Sequence, residues 1–186
     1  MKRSALFYMH QRGGAQFGER SGWEMPVMFS SPESELAAVR ESSGLTDLSY
    51  FAKFDLQAEP AQAFWLLGRN HYLVLGEPTI NVPVGATDIT SVYADLFLAG
   101  PSGSSTLGKL TSLNVSESRL SHRACAQGSV AHVHAIVLRE DIKAIPGFHI
   151  LVSREYAEDV WEAVLNAGRE FCLQPFGFEA LRRLQS

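Results

Sequence analysis

The chain has 186 residues, with 16 Lys and Arg against 20 Asp and Glu, a formal net charge of −4. That length suits one domain with a sizeable core, and the mild acidity gives no electrostatic footprint for nucleic acid or an anionic membrane. No apolar run approaches the roughly 20 residues that span a bilayer; the stretch after Met1-Lys2-Arg3 is too short for a signal peptide, and two cysteines, Cys125 and Cys172, make no disulfide framework, so a cytoplasmic protein is expected.

In chain order, Ser31-Pro32-Glu33 supplies an N-cap, a proline at the first helical position and an early acid, opening a helix that Gly44 should stop. Ala52, Phe54 and Leu56 then alternate with Lys53, Asp55 and Gln57, the pattern of a half-buried strand. A short helix is predicted from Pro60 to Leu67, a strand over Tyr72 to Leu75, another over Ala94 to Leu98, and a second Pro-started helix from Pro101 to Leu110. Strands are predicted over Val130 to Leu138 and Phe148 to Val152. Ser153 to Gly168 carries the clearest helical signal, with Ala157, Val160, Trp161, Val164 and Leu165 on one face, and Gly177 to Gln185 forms a last helix. Strands and helices interleave without a regular βαβ rhythm, which favours an α+β domain.

The sequence also echoes itself. Gly44-Leu-Thr-Asp-Leu-Ser leads to Ala58-Glu59-Pro60, and Gly85-Ala-Thr-Asp-Ile-Thr leads to Ala99-Gly100-Pro101, at a constant offset of 41 residues. The in-out alternation of the following strands matches better at 42, so a bulge must absorb one residue. The reading is a duplicated pair of β-α units: an arm and helix over 1–43, a first repeat over 44–84, and a second repeat with the C-terminal helix over 85–186.

Four groups of residues invite a chemical role. His122, Cys125, His132 and His134 form the one cluster suggestive of a metal, because His132 and His134 share a face of the predicted strand; no second paired motif supports it, and histidines facing solvent or a partner explain the pattern as well. Cys125 becomes a nucleophile only beside a base, and as a small buried hydrophobe needs none. Asp47 and Asp88 are candidate acids, though an Asp after Thr more often caps a turn through nearby backbone. Gly100 to Ser105 opens a helix as an anion cradle would, but lacks the lysine of a phosphate loop, so a helix cap is favoured.

The N-terminal segment carries a resemblance. Leu6-Phe7-Tyr8-Met9-His10, Gly14-Ala15, Gly22-Trp23-Glu24-Met25-Pro26-Val27, Ala38-Val39-Arg40, Gly44-Leu45 and Asp47-Leu48-Ser49 resemble, in order and spacing, the opening of the glycine cleavage T-protein family of tetrahydrofolate-dependent aminomethyltransferases. Trp65-Leu66-Leu67-Gly68, Asp88-Ile89-Thr90, Cys125-Ala126-Gln127 and Phe148 through Trp161 are similar to the gamma subunit of heterotetrameric sarcosine oxidase, a small relative of that folate-binding domain. The resemblance implies a duplicated α+β folate-binding domain, tetrahydrofolate as cofactor, Trp23 and Met25 near its central hole, and His149 where the family's G-E-D-G-F-E places a pteridine-binding Glu.

The departures bear on activity. The family's N-x-x-G-G-x-x-D-D segment has no counterpart here, the pteridine Glu has become His149, and the A-R-D motif reads Ala180-Leu181-Arg182. An imidazole cannot repeat a carboxylate's two-pronged contact with an aminopyrimidine. Together with a charged content of only 19%, which suggests a covered surface, this leads to an expected accessory subunit: its partner is a flavin-dependent amine oxidase or one-carbon enzyme subunit, or else the chain self-associates. The alternative is a minimal aminomethyltransferase in which His149 takes the pteridine and Asp88 or Asp95 the amine. A third branch, iron–sulfur maintenance proteins, has a K-G-C-Y-x-G-Q-E motif that Cys125-Ala126-Gln127-Gly128 echoes poorly.

Overall fold

A computed structural model describes residues 1–186 as a mixed α+β fold of three sheets. The N-terminal arm supplies β1 (Lys2–Arg3), α1 (Phe7–Arg12), β2 (Gln16–Arg20), β3 (Trp23–Met28) and α2 (Pro32–Glu41). The middle holds β4 (Gly44–Asp47), β5 (Ala52–Leu56), β6 (Trp65–Gly68), β7 (His71–Gly76), β8 (Thr87–Asp88), β9 (Tyr93–Ala99) and α3 (Gly103–Gly108). The remainder is β10 (Cys125–Val130), β11 (Val133–Arg139), β12 (Gly147–Ser153), α4 (Ala157–Gly168), β13 (Gln174–Pro175) and α5 (Phe178–Gln185). No helix is long and apolar enough to cross a membrane.

The central sheet has the order β10-β11-β12-β9-β4-β13, antiparallel except for β4 with β13. Both faces of its inner strands β9 and β12 are covered, so these strands are apolar at most positions on both sides. Ala94, Leu96 and Leu98 of β9 and Phe148, Ile150 and Val152 of β12 face a core built with Val160, Trp161 and Val164 of α4. Phe97 and Leu151 turn the other way, into a second core shared with Trp23, Met25, Trp65, Leu73 and Leu181. There the four-stranded sheet β6-β7-β5-β8 and the arm sheet β1-β3-β2 close over the central one.

Several predicted elements change in detail. No helix forms over Pro60 to Leu67: Phe64 packs against one core and Trp65 lies in another, an alternation a strand satisfies, and Trp65–Gly68 is β6. The predicted strand Val130 to Leu138 is a hairpin, broken where Ala131 and His132 take φ of 50° and 67°. α2 has its predicted cap, Ser31 Oγ accepting from the Ser34 amide at 3.2 Å, but ends before Gly44. Gly44 is a close-packing position: a Cβ there would lie 2.6 Å from Phe176 and Val39. Ser153 makes no side-chain cap, and a 3-10 turn over Arg154–Tyr156 precedes α4. Lys53, placed on the open side of β5 by its alternation, is fully buried.

The corners at Asp47 and Asp88 make matching bonds. Asp47 Oδ1 accepts from the Ser49 amide at 2.9 Å, and Asp88 Oδ1 from the Thr90 amide at 2.8 Å. The Leu48 amide donates to Asp95 O at 2.8 Å and the Ile89 amide to Lys53 O at 2.9 Å. Ser49 Oγ accepts from the Asp95 amide at 3.2 Å, and Thr90 Oγ1 from the Lys53 amide at 3.0 Å. The strands exchange partners accordingly, β4 with β9 and β5 with β8.

Candidate functional site

A cavity of about 360 Å³ opens over the second face of the central sheet. Phe97 and His149 form its floor, Leu48 and Phe51 of the first corner and Leu75 to Glu77 at the end of β7 form its walls, and Glu140 to Lys143 and Leu181 of α5 form its rim. A larger hollow of about 710 Å³ lies between the end of α4 and β13, but it is a surface groove without a converging set of titratable groups. The chemistry is concentrated in the smaller one.

The sheet register builds that floor. His149 lies opposite Phe97 in the β12–β9 ladder, which sets it diagonal to Asp95, two residues along on the same face. Its Nδ1 stands 3.0 Å from both oxygens of Asp95, and its Nε2 3.0 Å from Glu140 Oε2. Asp95 and His149 are both buried, 0% and 1% exposed. Burial opposes the charged ring, but the Asp95 charge and hydrogen bonds to both carboxylates outweigh it and push the His149 pKa up to about 9. Burial likewise opposes an ionised Glu140, yet His149 and Arg123 hold its carboxyl below the ordinary value. Arg123 donates to Glu140 Oε1 at 3.1 Å and covers the Trp65 ring at 3.7 Å.

Lys53 stands behind Asp95, with Nζ donating to the carbonyls of Ser49 at 3.1 Å and Phe51 at 2.9 Å. Its pKa is lowered by burial, against the pull of Asp95 and Asp47. At the other wall Glu77 Oε1 accepts from Arg20 at 2.8 Å and from the Tyr50 hydroxyl at 3.3 Å. Burial and the Glu77 charge raise the Tyr50 hydroxyl pKa.

Of the residues singled out in the sequence, His149 lines this cavity and Asp95 lies beneath it. Trp23 and Met25 are buried in the same core but do not reach the cavity. Trp23 borders a separate void of about 10 Å³, room for a water at most. Asp47 is buried against His10 Nε2 at 3.0 Å, and Asp88 is exposed, away from the cavity. His132 sits in the hairpin turn and His134 is an exposed residue near the start of β11, so the two share no strand face. His122 Nδ1 accepts from the Asp141 amide, while Cys125 Sγ donates to Leu66 O and its thiol pKa is raised by burial. Gly100, at φ 128°, forms the turn into α3.

Glu77, Glu140 and Lys143 were not anticipated. The one sequence signal for Glu140 is the β11–β12 hairpin: pairing Leu138 with His149 brings the end of β11 beside His149, which requires the register rather than the motif.

The three-sheet α+β architecture, with its cavity over the second face of the central sheet, sets the class of fold. The chain belongs to the GCVT N-terminal domain family, which it matches over residues 6–67 and 66–186. It is similar to the aminomethyltransferases of Desulfitobacterium hafniense (25% identical) and Geobacillus kaustophilus (28% identical), each over 97% of this chain and 62% of the relative. The chain therefore spans about three-fifths of those relatives, and its matched residues spread over 228 aligned positions, so the relatives carry additional residues within the matched span. Its fold resembles the glycine cleavage system aminomethyltransferase T of Bartonella henselae, with a TM-score of 0.78 at 16% identity over 99% of this chain and 62% of that one. It also resembles a chain of the heterotetrameric sarcosine oxidase of Corynebacterium sp. U-96, with a TM-score of 0.60 at 16% identity over 76% of this chain and 95% of that one.

At the position that the resemblance assigns to a pteridine-binding Glu, His149 has both ring nitrogens engaged by Asp95 and Glu140 and offers no pair of acceptors to an aminopyrimidine edge.

Proposed function

We propose that this protein is a non-catalytic accessory subunit, similar to the gamma subunit of sarcosine oxidase, of an enzyme in tetrahydrofolate-linked amine or one-carbon metabolism. The observation that carries the reading is the saturated His149: the side chain that the resemblance sets in the ligand-reading position has both ring nitrogens bonded to Asp95 and Glu140 and none left for a ligand. The partner, a flavin-dependent amine oxidase or one-carbon enzyme, then supplies flavin, folate or the catalytic acid. Further support comes from the family match falling in two pieces, and from the likeness to a chain of a heterotetrameric oxidase, nearly the whole of which is covered. Trp23 and Met25 hold the arm against the core behind the cavity, and His149 closes the floor. The two free cysteines suit the cytoplasm.

The recurring bonds at Asp47 and Asp88 also support a domain built from two pseudo-symmetric β-α units, with Lys53 and Asp95 as equivalent strand positions.

The test is co-purification from the native host. Recovery with a flavin-dependent amine oxidase or one-carbon enzyme is expected; a free monomer with no such partner sinks the reading. The alternative, a minimal aminomethyltransferase, draws on the carboxylates of Glu77, Glu140 and Asp141 around the cavity. Micromolar tetrahydrofolate binding by calorimetry, abolished in His149→Ala, decides for it.

A further inference from the structure

His149 is ringed in a way that a packing histidine does not need. Its ring nitrogens face two different carboxylates at 3.0 Å, and it is 1% exposed. A neutral imidazole has one N–H and would turn a lone pair toward one of those carboxylates; only the doubly protonated ring donates to both. Phe97 packs against it with ring centroids 4.5 Å apart, and Trp65 and Phe51 stand at 6.2 and 6.4 Å. Two carboxylates and an aromatic face are the groups that recognise a flat organic cation.

We propose that Asp95, Glu140 and the surrounding aromatic rings form a binding cage for a planar protonated ring or amidinium, and that His149 is its resident ligand, supplied by the chain itself. The cage lies across three pieces of chain: Asp95 on β9, His149 on β12 and Glu140 just past β11. The resident cation therefore fastens the floor of the cavity and excludes outside cations of the same class. Other charges act on it through these carboxylates, Lys53 behind Asp95 and Arg123 on Glu140, while Glu77, Asp141 and Lys143 line the cavity above. The inference does not need a partner subunit: co-purification can fail and the cage still stand.

Emptying the cage tests it. In His149→Gly the two carboxylates lose their cation, and at pH 6.5 added imidazole or acetamidine should raise the melting temperature by about 3 °C or more at concentrations near ten times Kd. Pyrazole, nearly the same shape but uncharged, should not, and the wild-type chain should respond to none of the three. Equal rescue by pyrazole, or rescue by none, overturns the proposal. Should the glycine variant fail to fold, nitrogen NMR of the wild-type ring decides: both ring nitrogens protonated from pH 6 to 8 supports the cage, and a single neutral tautomer at pH 7 refutes it.

Discussion

The corner at Asp47 and the corner at Asp88 use the same bonds in opposite surroundings. Each aspartate accepts from the amide two residues on, and each following hydroxyl accepts from an amide of a facing strand. Yet Asp47 is 4% exposed and bonded to a buried histidine, whereas Asp88 lies at the surface in a two-residue strand. Local chemistry sets the shape of a corner, and burial sets how much stability depends on it.

The sharpest form of that difference is at the residues before the two prolines. Gly100 has φ 128°, and a Cβ there would meet Ser42 O at 2.4 Å and Ser43 Cα at 2.5 Å, both backbone atoms that cannot yield. Glu59, its counterpart in the echo, is exposed. Gly100→Ala combines strain with overlap and should cost about 4 kcal/mol or more. Glu59→Ala should stay within about 0.5 kcal/mol. Urea unfolding of the two variants measures the contrast, and similar midpoints would break it.

Removing the aspartates themselves comes next. Asp47→Ala leaves His10 buried without its carboxylate and should cost about 3–4 kcal/mol. Asp88→Ala removes one hydrogen bond at the surface and should cost about 1 kcal/mol. The pH dependence should differ in the same sense. Burial opposes the Asp47 charge, but hydrogen bonds with His10, Ser4 and Ser49 hold its pKa below the ordinary value. A carboxyl lowered on folding stabilises above its unfolded pKa of about 3.9 and loses that as pH falls toward the folded value. Acid unfolding below about pH 4 should therefore be shallower in Asp47→Ala than in the wild type.

These contrasts also mark what the sequence discloses. The repeated Thr-Asp corners, the Ser31 cap and the apolar face of α4 are legible because each is a local rule expressed by neighbouring residues. The hairpin at Ala131-His132 was missed for the same reason: a two-residue turn with both φ positive is ordinarily announced by Asn-Gly or Asp-Gly, and here neither is present. Lys53 was misplaced because alternation marks the two faces of a strand without saying that both are covered. His149 was located, but its bonds to Asp95 and Glu140 depend on strand order and register, which no short motif carries.

Lys53 and Asp95 extend the comparison to the strands that follow the corners. Lys53 is satisfied by backbone carbonyls, whereas Asp95 is satisfied by a titrating ring. His149 has its pKa raised to about 9, so its contribution is complete below its unfolded value near 6.5 and is lost as pH rises through about 9. Between those limits the wild type should lose on the order of 3 kcal/mol relative to His149→Gln, read as the difference of their stability curves. Parallel curves would mean that Asp95 gains nothing from the ring's charge.

The smallest contrast is the most direct test of likeness between the corners. Ser49 Oγ and Thr90 Oγ1 each accept from one strand amide, and each can be removed without disturbing the aspartate beside it. Ser49 is 5% exposed, so Ser49→Ala leaves the Asp95 amide without access to water and should cost about 1–2 kcal/mol. The Thr90 hydroxyl lies in a half-exposed corner where water can replace it, and Thr90→Ala should cost about 0.5–1 kcal/mol. The bonded amides supply a second readout: hydrogen exchange at Asp95 and at Lys53 should quicken in its own variant and stay unchanged in the other. If either substitution quickens both amides, the corners are not separate local units but one cooperative element joined through β4, β5, β8 and β9, and their matching bonds then answer to a single packing constraint rather than to a pattern repeated twice.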